Sequence, residues 1–165
     1  MAMYRVKQFI WAITSRFKPI DENIIKKYLS QEEENIFNKL SKSEQHHSIR
    51  VCKDALHKGN GEYIDMKKLA KIALLHDVGK ALGNLNVIDK SVIVILDKIT
   101  KGSLRKYDFN RKVDTYYNHP KKSADLLNSI NEYDDEFIEA IKKHHFRDIG
   151  SNIYLKIVKE CDDNN

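Results

Sequence analysis

A histidine and an aspartate stand side by side at positions 76 and 77, inside the otherwise apolar run Ile72-Ala73-Leu74-Leu75-His76-Asp77-Val78-Gly79-Lys80. Leu69, Ile72, Ala73 and His76 follow the i, i+3, i+4, i+7 spacing of one helix face, so the imidazole points where the apolar side chains point. A buried imidazolium or carboxylate without a partner is costly. A chain that places such groups on core-facing positions must therefore supply something to pair with them, and a divalent metal is the best candidate.

The doublet has company. His47, Val51 and Ala55 share a helical face, as do Phe137, Ile141 and His144-His145, and as do Tyr154, Leu155, Val158, Cys161 and Asp162. Four helical patterns thus aim imidazole or carboxylate groups inward. A single inward histidine is most often a hydrogen-bonded core residue, but the set as a whole favours metal ligation. Imidazole with carboxylate suits Fe, Mn, Zn or Ni and does not choose among them.

The rest of the sequence agrees with an all-α fold in a single compact multi-helix domain. The 165 residues suffice for one well-buried domain, and only six glycines and two prolines punctuate them. The net charge is +5, yet lysines alternate with acids along the chain, so the charge reads as a solvated surface and no specific nucleic-acid binding is expected. Cys52 and Cys161 lie within helical patterns without C-x-x-C spacing and read as small buried hydrophobes, which fits a reducing, cytoplasmic setting. No stretch is apolar enough to span a membrane and no cleavable leader is recognisable.

Val6, Phe9, Ile10, Ile13 and Phe17 form a helical stripe flanked by Arg5, Lys7, Arg16 and Lys18. We assign residues 1–20 to an N-terminal amphipathic helix and 21–165 to the globular domain. Packing of the stripe on the domain is the preferred reading, with contact to a membrane surface as the alternative.

Further along, Asp21 caps a helix to about residue 28, and Ser30 with Glu33 forms a capping box for a segment to about 42. Helices follow over about 43–57 and 65–80. The β-branched run 92–96 is assigned to a helix because Val87, Ile88, Ser91, Ile95 and Ile99 keep helical spacing around it. A loop is expected at 101–108, a helix over about 111–117, and a new helix opening at Pro120 with His119 beside its N-cap. Two last helices cover about 134–145 and 152–162. His46 faces away from His47, and His57 suits a helix C-terminus; neither needs a chemical role.

His47 in His-Ser-Ile-Arg-Val, the doublet in Leu-Leu-His76-Asp77-Val-Gly-Lys80, and Asp162 resemble, in order and setting, the H…HD…D pattern of the HD-domain metal-dependent phosphohydrolases. His119 in Tyr-Asn-His-Pro-Lys-Lys-Ser-Ala and the pair His144-His145 resemble the extra ligands of the binuclear branch that includes the HD-GYP cyclic-dinucleotide phosphodiesterases. The resemblance implies an HD-domain fold with two divalent ions in its helical core. Asp77 would bridge them, with His47, His76 and Asp162 completing one site and His119, His144 and His145 the other. Because adjacent side chains on a helix diverge, one of His144 and His145 is expected to stand back from the metal. After His145 the chain reads Phe146-Arg147-Asp148-Ile149-Gly150 in place of the glutamate and Gly-Tyr-Pro of the HD-GYP group, which removes the basis for assigning cyclic di-GMP.

The implied activity is hydrolysis of a phosphomonoester or phosphodiester, of a nucleotide or cyclic dinucleotide, by metal-activated hydroxide. Asp77 and Lys80 are the candidate catalytic groups, with Lys80, Arg50 and Arg147 the candidates for contacting a small phosphorylated substrate. A di-iron oxygenase and a non-catalytic, metal-stabilised nucleotide-binding module are the alternatives. No phosphate-binding glycine loop or serine nucleophile motif is present, and no pattern points to an oligomeric state.

Overall fold

A computed structural model describes residues 18–85 and 87–165. The expected N-terminal helix falls almost wholly outside these residues. Among them there is no strand: eight α-helices and two short 3-10 turns carry the fold. In chain order these are α1 (Glu22–Tyr28), α2 (Gln31–Phe37), α3 (Lys42–Gly59), α4 (Met66–Leu75), a 3-10 turn (Val78–Gly83), α5 (Val87–Ile99), a second 3-10 turn (Ser103–Tyr107), α6 (Arg111–Asn128), α7 (Asp135–Lys143) and α8 (Ile153–Asp163).

Side-chain caps start most of them. Ser30 and Glu33 form the reciprocal capping box expected for α2. Ser41, Asp65, Asn110, Asp134 and Asn152 each accept from first-turn amides of α3, α4, α6, α7 and α8. Because Ser41 opens its own helix, the segment expected to run to residue 42 ends at Phe37 and a turn intervenes.

The apolar stripes of α3, α4, α7 and α8 meet in one core, where Val51, Cys52, Leu69, Ile72, Ile141, Leu155 and Val158 are fully buried. Both cysteines are free and buried, as their setting in the sequence implied. The ambiguous run 92–96 is helical within α5. That helix belongs to a smaller cluster of Leu85, Ile93, Leu104 and Val113 beside the main core.

Two departures from the expected elements shape the site. The helix expected over 65–80 stops at Leu75, with His76 as its cap and Asp77 at φ −105°, ψ 4°, before the chain tightens into the 3-10 turn. And α6 does not restart at Pro120: it is continuous from Arg111 to Asn128 with the proline inside it. The 3-10 turn packs directly on α6. A Cβ on Gly79 would lie 2.4 Å from the His119 carbonyl oxygen and 2.6 Å from the Ser123 nitrogen, so only glycine allows this approach. The Gly79 N–H donates to Ser123 Oγ at 2.8 Å and fixes the contact.

Candidate metal centre

The structure brings all seven sequence-selected ligands into one cluster at the meeting point of α3, α4, α6, α7 and α8. Asp77 lies at its middle, 1% exposed. Its two carboxylate oxygens face different partners. Oδ2 is 3.2 Å from His76 Nε2 and 3.7 Å from His47 Nε2, whereas Oδ1 is 3.2 Å from His119 Nε2 and 3.7 Å from His144 Nε2. Asp162 closes the first side, with Oδ1 2.9 Å from His47 Nε2 and 3.6 Å from His76 Nε2. His145 closes the second, its Nε2 3.0 Å from His119 Nε2.

Ligand atoms of Asp77, His119, His144 and His145 lie within 4.8 Å of one another, and so do those of His47, His76 and Asp162. The resemblance implied the same division of the other six residues, with Asp77 serving both sets.

Both members of the His144-His145 pair take part, with ring centroids 4.1 Å apart. The expectation that one must diverge assumed an uninterrupted helix. Instead α7 ends at Lys143 and His144 is its cap, so the chain turns between the two rings. His144 is fully buried, and the His145 side chain is 45% exposed at the open side of the cluster. The same device acts at His76-Asp77, where the end of α4 lets two neighbours converge.

Three of the imidazoles are held alike. Nδ1 of His76, His119 and His144 lies 2.9, 2.9 and 2.6 Å from the carbonyls of Ala73, Tyr116 and Ile141, each three residues earlier. A carbonyl can only accept, so each Nδ1 carries the proton and, in the neutral ring, Nε2 offers a lone pair to the interior. This is the arrangement by which metal-ligating histidines are oriented. His76 Nε2, His144 Nε2 and Asp77 Oδ1 are buried without a hydrogen-bond partner. Polar atoms left so deep and unpaired around one carboxylate fit a bound cation.

The electrostatics point the same way. Burial works against charge on His76, but Asp77 and Asp162 outweigh it and push its pKa up to about 10. Burial also opposes charge on Asp77, yet Lys80 and His76 hold its carboxyl well below the usual range; the same opposition is overcome at Asp162 by His47 and His76. The carboxylates therefore call for positive charge at the His47–His76–Asp162 side. On the other side burial, with Lys80 nearby, lowers His119 to about 4, and burial with its neighbours His144 and His119 lowers His145 to about 2. Those rings stay neutral, the form in which imidazole binds metal.

The three cationic candidates have different fates. Lys80 is buried and its Nζ is engaged by Asp77 Oδ2 and by Glu44 Oε2 at 3.3 Å, so it does not stand free towards a substrate. Arg50 is half-buried and its Nε donates to Asn165 Oδ1 at 3.3 Å. Arg147 is exposed just beyond His145.

Glu44 escaped the sequence reading. It is buried, its Oε1 accepts from Lys90 at 2.7 Å, and although burial opposes its charge, Lys80 and Lys90 hold its pKa down at about 2. The signal was available, since Glu44 precedes His47, Ser48 and Val51 at i+3, i+4 and i+7 on one helix face. Its position three residues after Ser41 is also that of a capping-box glutamate. Ser41 does accept from the Glu44 amide, but the carboxylate turns inward instead of back to the cap.

An all-helical domain with histidine and aspartate side chains converging from five helices defines a class of folds whose core could hold metal. Comparison with protein families gives it a name: the HD domain profile matches residues 45–163, and the chain belongs to the HD domain family. Most of that family are metal-dependent hydrolases. No curated protein and no solved structure matched the chain. Among the described residues, no helix is long and apolar enough to cross a membrane.

Proposed function

We propose that the protein is a binuclear metal-dependent phosphohydrolase acting on a phosphomonoester or phosphodiester of a nucleotide or cyclic dinucleotide. The observation that carries this reading is the division of labour at Asp77, whose Oδ1 and Oδ2 each serve a separate set of imidazoles. His47, His76 and Asp162 would hold one divalent ion, His119, His144 and His145 the other, with Asp77 shared. Two such ions supply electrophilic assistance, lowering the pKa of water and drawing charge from phosphoryl oxygens.

The chain's own residues do the rest. The three Nδ1–H donations keep the imidazoles in one tautomer and one orientation. Lys80 holds Asp77 ionised and restrains its Oδ2, and Glu44 with Lys90 balances the charge of Lys80 in the interior. The half-exposed His145 marks the side from which a phosphate reaches the cluster, and Arg147 stands at that edge to pair with it.

Elemental analysis of protein purified without added metal or chelator, followed by a panel of phosphomonoesters and phosphodiesters with the matching ion, tests the proposal. About two ions per chain and phosphate release support it. One ion or fewer, with no further uptake on titration, overturns the binuclear reading. Oxygen consumption by iron-loaded protein without phosphoester turnover would move the assignment to an oxygenase.

A further inference from the structure

Pro120 occupies a position that proline normally avoids. It lies well inside α6, where a proline can neither donate the helical hydrogen bond nor leave the carbonyl four residues back undisturbed. That carbonyl belongs to Tyr116. It is the one that accepts from His119 Nδ1 at 2.9 Å.

The other two oriented imidazoles show why this matters. His76 and His144 are the C-caps of α4 and α7, and each donates Nδ1–H to the third residue from the helix end, Ala73 and Ile141. The last carbonyls of a helix have no amide ahead of them, so an imidazole finds them open. His119 has no helix end within reach, because α6 runs on to Asn128. Mid-helix, the Tyr116 carbonyl would ordinarily be taken by the amide of residue 120.

We propose that Pro120 is a positioning residue: by lacking an N–H it opens the Tyr116 carbonyl in mid-helix, fixing His119 as the Nδ1–H tautomer with Nε2 directed at Asp77 Oδ1. The helix-disrupting residue does for His119 what helix termination does for His76 and His144. With His119 Nε2 accepting, the 3.0 Å contact to His145 Nε2 is a hydrogen bond donated by His145. Gly79, docked against the His119 carbonyl, braces the same turn from the other side.

The tautomer does not depend on the proposed function; the metal consequence rests on it. The experiment is nitrogen-15 imidazole NMR on metal-free wild-type protein and Pro120→Ala, with manganese titration and thermal melting of both. In the wild type, His76, His119 and His144 all report Nδ1–H. In Pro120→Ala the amide of residue 120 reclaims the Tyr116 carbonyl, and His119 alone loses that preference. The second manganese equivalent binds about tenfold more weakly while the first is unchanged, the size of effect expected for an outer partner of a metal ligand. The melting temperature stays level or rises, since alanine suits the helix interior better than proline.

An unchanged His119 tautomer in the variant overturns the inference, and so does an equal change at all three histidines. If wild-type protein takes up no second ion, the binuclear reading fails while the NMR comparison still decides the role of Pro120. Pro120→Ser, which restores the same amide with a different side chain, must reproduce the alanine result.

Discussion

Two of the carboxylates buried in this domain, Glu33 and Asp77, have opposite surroundings. Glu33, fully buried in the first turn of α2, is saturated: Lys71 Nζ reaches both oxygens at 2.7 and 2.8 Å, Tyr133 Oη donates to Oε1 at 2.9 Å, and the Ser30 N–H donates to Oε2 at 2.6 Å. Asp77 has Lys80 on Oδ2, but its Oδ1 has no donor and faces His144, whose own Nε2 is likewise unpaired. Both groups stay ionised below the ordinary carboxylate range. What separates them is completeness. A buried charge whose partners are all in the chain ties elements together, whereas one left incomplete among other incomplete groups is a place for a ligand.

The sharpest way to break this contrast is to remove each carboxylate and ask what is lost. Asp77→Ala should eliminate uptake of both ions and reduce phosphoester turnover by more than about a hundredfold, since changes to outer partners of metal ligands alone cost 10–100-fold. Its metal-free melting temperature should fall less than that of Glu33→Ala. Wild-type metal stoichiometry in Asp77→Ala would show that the aspartate is a structural partner after all, and the distinction drawn between the two carboxylates would collapse.

Glu33→Ala should do the reverse. It unties α2 from Lys71 of α4 and from Tyr133 ahead of α7, and removes the capping box of α2. Breaking a buried pair from one side costs about 3–5 kcal/mol, and the lower end applies because Lys71 keeps some access to water. Denaturant melts should show that loss with metal content per folded chain unchanged.

The same carboxylate sets an acid limit on stability. Burial raises the Glu33 pKa, but Lys71, the Ser30 amide and Tyr133 outweigh it and hold it below its ordinary value of 4.5. The unfolded chain therefore binds this proton more readily than the folded one. Stability from Glu33 is fully present above about pH 4.5 and is lost as pH falls through the lowered folded value. Glu33→Gln should flatten this part of the stability profile, measured by denaturant melts at a series of pH values. An identical acid limb in the variant would mean that other carboxylates control it.

Much of the centre was legible in the sequence because its logic is periodic. His47, His76 and Asp162 sit at helical spacing from core residues, and the structure buries the faces so defined. The misreadings share one cause. Helix breaks inside apolar patterns leave the period intact, so the ends of α4 before His76 and of α7 before His144 were invisible, and with them the convergence of neighbouring side chains. Pro120 misled in the opposite sense: a residue that usually starts a helix sits inside one. Glu44, Lys80 and Lys90 form a network across three elements, and a single sequence carries no record of which charges pair across such distances.

Tyr133→Phe offers the smallest and most discriminating change, because it removes one donor from the saturated carboxylate, along with the hydroxyl's contact to Asn131. The ring is stacked on Phe137 with centroids 4.4 Å apart, and phenylalanine preserves that contact. Glu33 would keep Lys71 and the Ser30 amide, so the loss should be that of one hydrogen bond, about 1 kcal/mol, or roughly 2–4 °C in melting temperature for a chain of this size. Metal uptake should not change. A loss approaching that of Glu33→Ala would mean that the three partners act as a unit and that saturation is cooperative. A loss near zero would mean that Lys71 alone satisfies the charge. The outcome thus measures how many partners make a buried carboxylate complete, the quantity by which Asp77 falls short.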